Sequence, residues 1–141
     1  MTGHELKSAL HAGHRVYGTC IVSPSPAWPP MIAGTGVDFV FIDTEHIPLG
    51  RNHLAWMCQV YAARGLPPIV RIPKPDPYLA CMALDAGAAG IVAPYMESVE
   101  EVKELRGAVK YRPLKGGRLR DVLEGRETLS PVLEEYLGGY A

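Results

Sequence analysis

Apolar residues in this chain fall in short β-branched runs separated by amphipathic stretches, and the two kinds of segment alternate. Val37-Asp38-Phe39-Val40-Phe41-Ile42 is a near-continuous apolar run of the sort that forms a strand covered on both faces. Beyond it, Leu54, Met57, Cys58 and Tyr61 stand at i, i+3, i+4 and i+7, which is one face of a helix, and Gly65 closes the stretch. Pro68-Ile69-Val70-Arg71-Ile72 predicts the next strand. Asp76-Pro77 then supplies an N-cap and a first-turn proline for a helix with Leu79, Met82, Ala83 and Ala86 inward and Gly87 at its end. Gly90-Ile91-Val92-Ala93-Pro94 predicts a further strand. Ser98-Val99-Glu100-Glu101 is a capping box opening a helix that turns Val102, Leu105 and Val109 inward. Upstream, Leu6 to Arg15 predicts a short helix and Gly18 to Val22 a first strand. Trp28 to Ala33 predicts a helix that admits Pro29 and Pro30 only in its first turn.

Strand and helix in alternation mean parallel strands joined by right-handed crossovers. Two α/β architectures fit: a small open sheet, or the first half of a (β/α)8 barrel, which needs about 250 residues when complete. A chain of 141 residues holds about four such units. The rhythm fades after Tyr111. Lys110, Arg112, Lys115, Arg118 and Arg120 read as a solvated basic loop, Ser130-Pro131 opens a last helix, and Gly138-Gly139 should lead toward a fifth strand. Four parallel strands alone leave two unpaired edges, which invites association.

Composition narrows the function. With 14 Lys and Arg against 15 Asp and Glu, the net charge of −1 gives no bias toward nucleic acid or an anionic membrane. A hydrophobic fraction of 48% with 21% charged residues is that of a folded globular chain. No apolar run approaches the roughly 18 residues of a membrane span. Met1 to Gly18 is polar and carries His4, His11 and His14, so a signal peptide is not expected and the chain reads as cytoplasmic. The 15 Gly and 13 Pro lie between apolar segments, as turn punctuation. Cys20, Cys58 and Cys81 are far apart with no C-x-x-C pair, so they are expected as buried small side chains and not as a disulfide or zinc framework.

Candidate chemistry gathers where strands end. The second strand runs into Asp43-Thr44-Glu45-His46, the third carries Arg71, and the fourth runs into Tyr95 and Glu97. In parallel α/β folds these ends share the rim where ligands bind. An imidazole titrates near neutrality and accepts a proton when a carboxylate steadies its charged form. An arginine fixed by packing grips a carboxylate and stabilises a developing enolate. His46 and Arg71 together therefore suit carbon–carbon cleavage or formation beside a 2-oxo acid. Period-two geometry puts Asp43 and Glu45 on one face and His46 on the other, which disfavours these three as a local metal site. His53, at a helix start, is expected in solvent.

Phe39-Val40-Phe41-Ile42-Asp43-Thr44-Glu45-His46, Ile69-Val70-Arg71-Ile72-Pro73 and Leu84-Asp85-Ala86-Gly87-Ala88-Ala89-Gly90-Ile91 resemble, in this order, successive signatures of the HpcH/HpaI aldolases. Lys110-Tyr111-Arg112-Pro113 and Gly116-Gly117-Arg118 are similar to the next segment of that family. The resemblance, from about Gly18 to Arg118, implies that residues 1–141 form the N-terminal half of a TIM-barrel aldolase domain. It implies a metal-dependent class II enzyme (Mg, Mn or Co) cleaving a 2-oxo-4-hydroxy acid reversibly to pyruvate or a related 2-oxo acid and an aldehyde. His46 would be the proton acceptor and Arg71 the substrate-binding, transition-state-stabilising residue. Asp43 would stand beside them, and Asp85 would raise the basicity of the histidine. Asp85 lies near the end of a helix that has carried the chain away from the rim, so its family role implies a homo-oligomer, typically a hexamer, in which it serves a neighbour's site. The metal ligands implied by the family follow its fifth and sixth strands, beyond Ala141. Ile47, Leu119 and Cys20 depart from the usual glycine, glycine and tryptophan, which marks a divergent subgroup. Two other readings compete: a lyase acting on CoA thioesters, of the citrate-lyase-like group, and a non-catalytic half-barrel that binds ligand or assembles with a partner.

Overall fold

A computed structural model of the chain describes residues 1–112, 114 and 116–138. Pro113, Lys115 and Gly139, named above, lie outside the described residues. The elements run α1 (Gly3–His11), β1 (Gly18–Ile21), α2 (Trp28–Ala33), β2 (Phe39–Asp43), α3 (Arg51–Ala62), β3 (Pro68–Arg71), α4 (Pro77–Asp85), β4 (Gly90–Val92), α5 (Val99–Lys110), α6 (Gly116–Leu123) and α7 (Pro131–Gly138). The strands are parallel and pair in chain order, β1-β2-β3-β4. This is the strand order of consecutive βα units in a barrel; a doubly wound sheet reverses direction partway.

Burial shows which face the helices cover. Val40, Ile42 and Val70 are fully buried, and Ile21 nearly so, among Leu54, Met57, Cys58 and Tyr61 of α3 and Ala80 and Ala83 of α4. Their strand neighbours Phe39, Phe41 and Ile69 are only partly buried, and Cys20 and Val92 are exposed. The expectation of β2 covered on both faces is thus corrected: among the described residues one face of the sheet is packed against α3 and α4, and the other is only partly covered, with α1 beside Ile69. Register sets up the site, because Asp43 pairs with Arg71 across β2 and β3 at the C-terminal end of the sheet.

Several elements differ from their expected spans or faces for local reasons. Helix α1 starts at Gly3 because Thr2 and Glu5 form a reciprocal capping box, and it ends by His11. Helix α4 buries Ala80 and Ala83 toward the sheet and Cys81 toward α5 and α6, while Met82 is only half-buried. In α5, Val102 is exposed, and Gly107 and Ala108 are the fully buried residues. The basic stretch is not all loop. Arg118 and Arg120 belong to α6, whose Leu119 joins a second apolar cluster with Cys81, Ala108 and Leu114. Arginine and leucine are good helix formers, and that packing decides the conformation.

Candidate active-site rim

Asp43 ends β2 as a buried residue, 5% exposed, and Arg71 ends the adjacent β3. The two form a bidentate pair: Arg71 Nε donates to Asp43 Oδ1 at 3.0 Å and Nη2 to Oδ2 at 2.5 Å. Asp43 Oδ1 also accepts from the backbone N–H of Glu45 at 2.9 Å and of His46 at 3.4 Å. One carboxylate therefore fixes the arginine and folds the next segment of chain over itself. The hydrogen bond from Arg71, opposed by burial and aided by the two backbone donors, holds the Asp43 carboxyl down at about 2. The same bond pushes the Arg71 guanidinium further up. The guanidinium carbon stands 5.7 Å from the centre of the Phe41 ring, a cation–π distance.

The segment after β2 is pinned from the other side too. Thr44 donates to the Arg71 carbonyl oxygen through its hydroxyl at 2.7 Å and its backbone N–H at 3.1 Å. Residues 44–47 are a bend, so the alternation of a strand ends at Asp43. Glu45 and His46 consequently do not point apart, as period-two reasoning expects. Glu45 Oε1 lies 3.6 Å from His46 Nε2, and Glu45 Oε2 lies 3.3 Å from Arg71 Nε. The Glu45 side chain is 9% exposed and that of His46 65%. Arg71 Nε points its hydrogen at Asp43, so Glu45 Oε2 is buried with no hydrogen-bond donor. Glu45 Oε1 does have one, the Tyr95 hydroxyl at 2.5 Å.

Tyr95, just past β4, has φ of +57°, the one positive value among the described non-glycine residues. Left-handed backbone costs an L-residue about 1–2 kcal/mol, so the surroundings must hold it there. Its hydrogen bond to Glu45, and then that carboxylate's charge, raise the phenol above its ordinary range. The sequence places both residues at strand ends on this rim, and it does not reveal their contact. Glu45 is one carboxylate among several, and Tyr95 occupies a conformation that usually signals glycine or asparagine. Glu97 contributes only a backbone N–H, donated to Glu101 Oε2 at 3.0 Å. Cys20, expected buried, is exposed on β1; its thiol is nonetheless raised, by partial burial and by the Asp43 charge.

The structure thus brings Asp43, Arg71 and His46 together through shared partners, with Glu45 and Tyr95 added. Asp85 stands elsewhere. It ends α4, which returns the chain from the rim to the start of β4, and there it meets Arg112 at 3.4 Å with 59% of its side chain exposed. A groove of about 1030 Å³ between α4, α5 and α6 is lined by Cys81, Asp85, Tyr111 and Leu119 and includes none of the rim residues. Among the described residues no group of three or more His, Cys, Asp or Glu can hold a metal ion. The reason is visible at the rim, where Asp43 is taken up by four N–H donors and Arg71 stands between the two carboxylates. The residues present do not fit a divalent cation. No helix among the described residues is long and apolar enough to cross a membrane.

Comparison with known proteins gives the family. The chain is 33% identical over 97 residues to a 2-dehydro-3,6-dideoxy-6-sulfogluconate aldolase of Pseudomonas putida, covering 69% of this chain and 38% of that protein. It is 34% identical over 107 residues to a hydroxypyruvate/pyruvate aldolase of Roseovarius nubinhibens, covering 76% and 42%. The chain therefore spans about two fifths of the length of these relatives. The crystal structure of an HpcH/HpaI aldolase from Desulfitobacterium hafniense DCB-2 superposes with a TM-score of 0.74 at 27% identity, over 96% of this chain and 52% of that one. These βα units correspond to half of a TIM-barrel-like aldolase. Residues 21–131 match the model of the HpcH/HpaI aldolase/citrate lyase family, and the chain belongs to that family.

Proposed function

We propose that this chain is the N-terminal part of a lyase domain, residues 1–141, that reversibly cleaves a 2-oxo-4-hydroxy acid to pyruvate, or a related 2-oxo acid, and an aldehyde. The observation that supports this reading is a guanidinium held rigid by a buried carboxylate on the rim that also carries an exposed imidazole. Asp43 occupies the Nε and Nη2 side of Arg71, which leaves the Nη1 side for a substrate oxygen. There the arginine binds the 2-oxo acid and stabilises the enolate oxygen, where charge accumulates as the bond breaks. His46 accepts the proton of the 4-hydroxyl, the C3–C4 bond breaks, and its electron pair moves toward the 2-oxo carbonyl to give the enolate and the aldehyde. Return of that proton to C3 yields the 2-oxo acid and neutral imidazole.

The family implies a divalent cation, Mg2+, Mn2+ or Co2+, which supplies Lewis-acid polarisation of the 2-oxo acid when bound. Its ligands belong to segments outside this chain, and no step above is assigned to it. Asp85, remote from its own His46, belongs in this reading to the site of a neighbouring subunit of a homo-oligomer. The location is cytoplasmic. The test is pyruvate release from a 4-hydroxy-2-oxo acid with and without each cation, with acyl-CoA substrates as the comparison. Loss of about 100-fold or more in both His46→Ala and Arg71→Ala supports the reading. Turnover that survives both changes, or that requires acyl-CoA, overturns it.

A further inference from the structure

Beyond the residues assigned to the reaction, the geometry points to Tyr95 as a positioning residue: its phenol holds the Glu45 carboxylate in the gap between Arg71 and His46. This rests on the aldolase reading for its purpose but not for its existence. Glu45 is an odd neighbour for an arginine that Asp43 already satisfies. Its Oε2 gains no hydrogen bond from Arg71, and its Oε1 is only at ion-pair distance from His46. Left to itself, a flexible three-torsion side chain in that position would swing to a better partner or to water. The Tyr95 hydroxyl is its one side-chain hydrogen-bond donor among the described residues. The contact is also costly to reach, because Tyr95 adopts left-handed backbone to make it. Three strands converge here, with Glu45 following β2, Arg71 ending β3 and Tyr95 following β4. The phenol thus ties the far edge of the sheet to the pair in the middle. With Glu45 so held, its buried Oε2 presents a fixed acceptor beside the guanidinium, and its Oε1 fixes the electrostatic surroundings of the imidazole.

The test compares the chain with Tyr95→Phe, Glu45→Gln and Tyr95→Gly, with thermal melts showing that each folds. Ultraviolet difference titration of the chain against Tyr95→Phe isolates the Tyr95 phenol. It should titrate above the ordinary tyrosine value of about 10 and fall back toward it in Glu45→Gln. Proton–carbon spectra of the histidine rings provide the second readout. The His46 cross-peaks should move in Tyr95→Phe, which keeps the aromatic ring and loses only the hydroxyl, while His53 stays in place. Aldol cleavage in Tyr95→Phe should lose about tenfold in kcat with KM changed less than about twofold. An ordinary phenol titration, or a His46 ring that responds to Tyr95→Gly and not to Tyr95→Phe, overturns the proposal. If the whole lyase domain that contains this chain cleaves no aldol substrate, the aldolase reading fails, and the two spectroscopic readouts still decide whether Tyr95 positions Glu45 and His46.

Discussion

Asp43→Asn isolates the interaction on which the rim is built. In the folded chain the Asp43 carboxyl is held at about 2, against 3.8 for an ordinary aspartate. Each unit of difference corresponds to about 1.4 kcal/mol, so the full shift represents about 2 kcal/mol of stability from the ionised form. Arg71 is 26% exposed, and solvent screening reduces this to about 1–2 kcal/mol. Asparagine also replaces one acceptor oxygen by an NH2 that must face Arg71 or the backbone N–H of Glu45, a mismatch worth about 1 kcal/mol more. The variant should therefore be about 2–3 kcal/mol less stable at pH 7. The sign with pH follows from the depressed value. The ionic contribution is complete above the unfolded-state pKa near 4 and disappears as pH falls through 2. Urea unfolding followed by far-ultraviolet circular dichroism at pH 7, 5, 3 and 2 should show the two proteins converging to within about 1 kcal/mol at the acid end. A difference that is equal at pH 7 and pH 2 would refute the assignment of the stability to the ionised pair.

Three further outcomes are expected. At pH 8 a thiol reagent should modify exposed Cys20 in the folded chain, whereas Cys58, whose thiol burial pushes up to about 12, and buried Cys81 should react only on unfolding, as peptide mapping will show. Gly87→Ala should cost about 1–2 kcal/mol in urea unfolding, because Gly87 has φ of +105°, which strains an L side chain, and a Cβ there would push the Gln59 amide off the Ala86 carbonyl. Asp85→Asn should change stability by less than about 1 kcal/mol, since its partner Arg112 meets it at the surface. A loss of turnover far beyond that in the same variant, with sedimentation unchanged, would locate Asp85 at another subunit's site.

The βα rhythm was legible because each element's buried face repeats locally. Leu54, Met57, Cys58 and Tyr61 are all buried as their spacing requires, and Trp28–Ala33 forms with both prolines near its start. Reading failed where a neighbouring element chose the face. Helix α5 packs Ala108 against Cys81 of α4 and Gly107 against Leu123 of α6, and leaves Val102 in solvent, since close approach between helices there selects small residues over large ones. Helix α6 has too few apolar residues to stand out from a basic loop and gains its buried face only through the second cluster. At the rim, parallel order and the alignment of Asp43 with Arg71 could be anticipated from strand ends. The inward turn of Glu45 could not. Strand alternation ends at Asp43, where the backbone N–H groups of Glu45 and His46 bind the aspartate and turn the chain into a bend.

Helices α4 and α5 each contribute to both apolar clusters: Ala83 and Leu105 to the one under the sheet, Cys81 and Ala108 to the one with α6 and α7. They act as a partition. Fraying of the C-terminal helices can proceed up to this wall without loosening the strands that carry Asp43 and Arg71. Substitutions at Leu119 or Leu133 therefore act first on the side of the wall where Asp85 lies, and the packing beneath Asp43 and Arg71 answers to the other cluster.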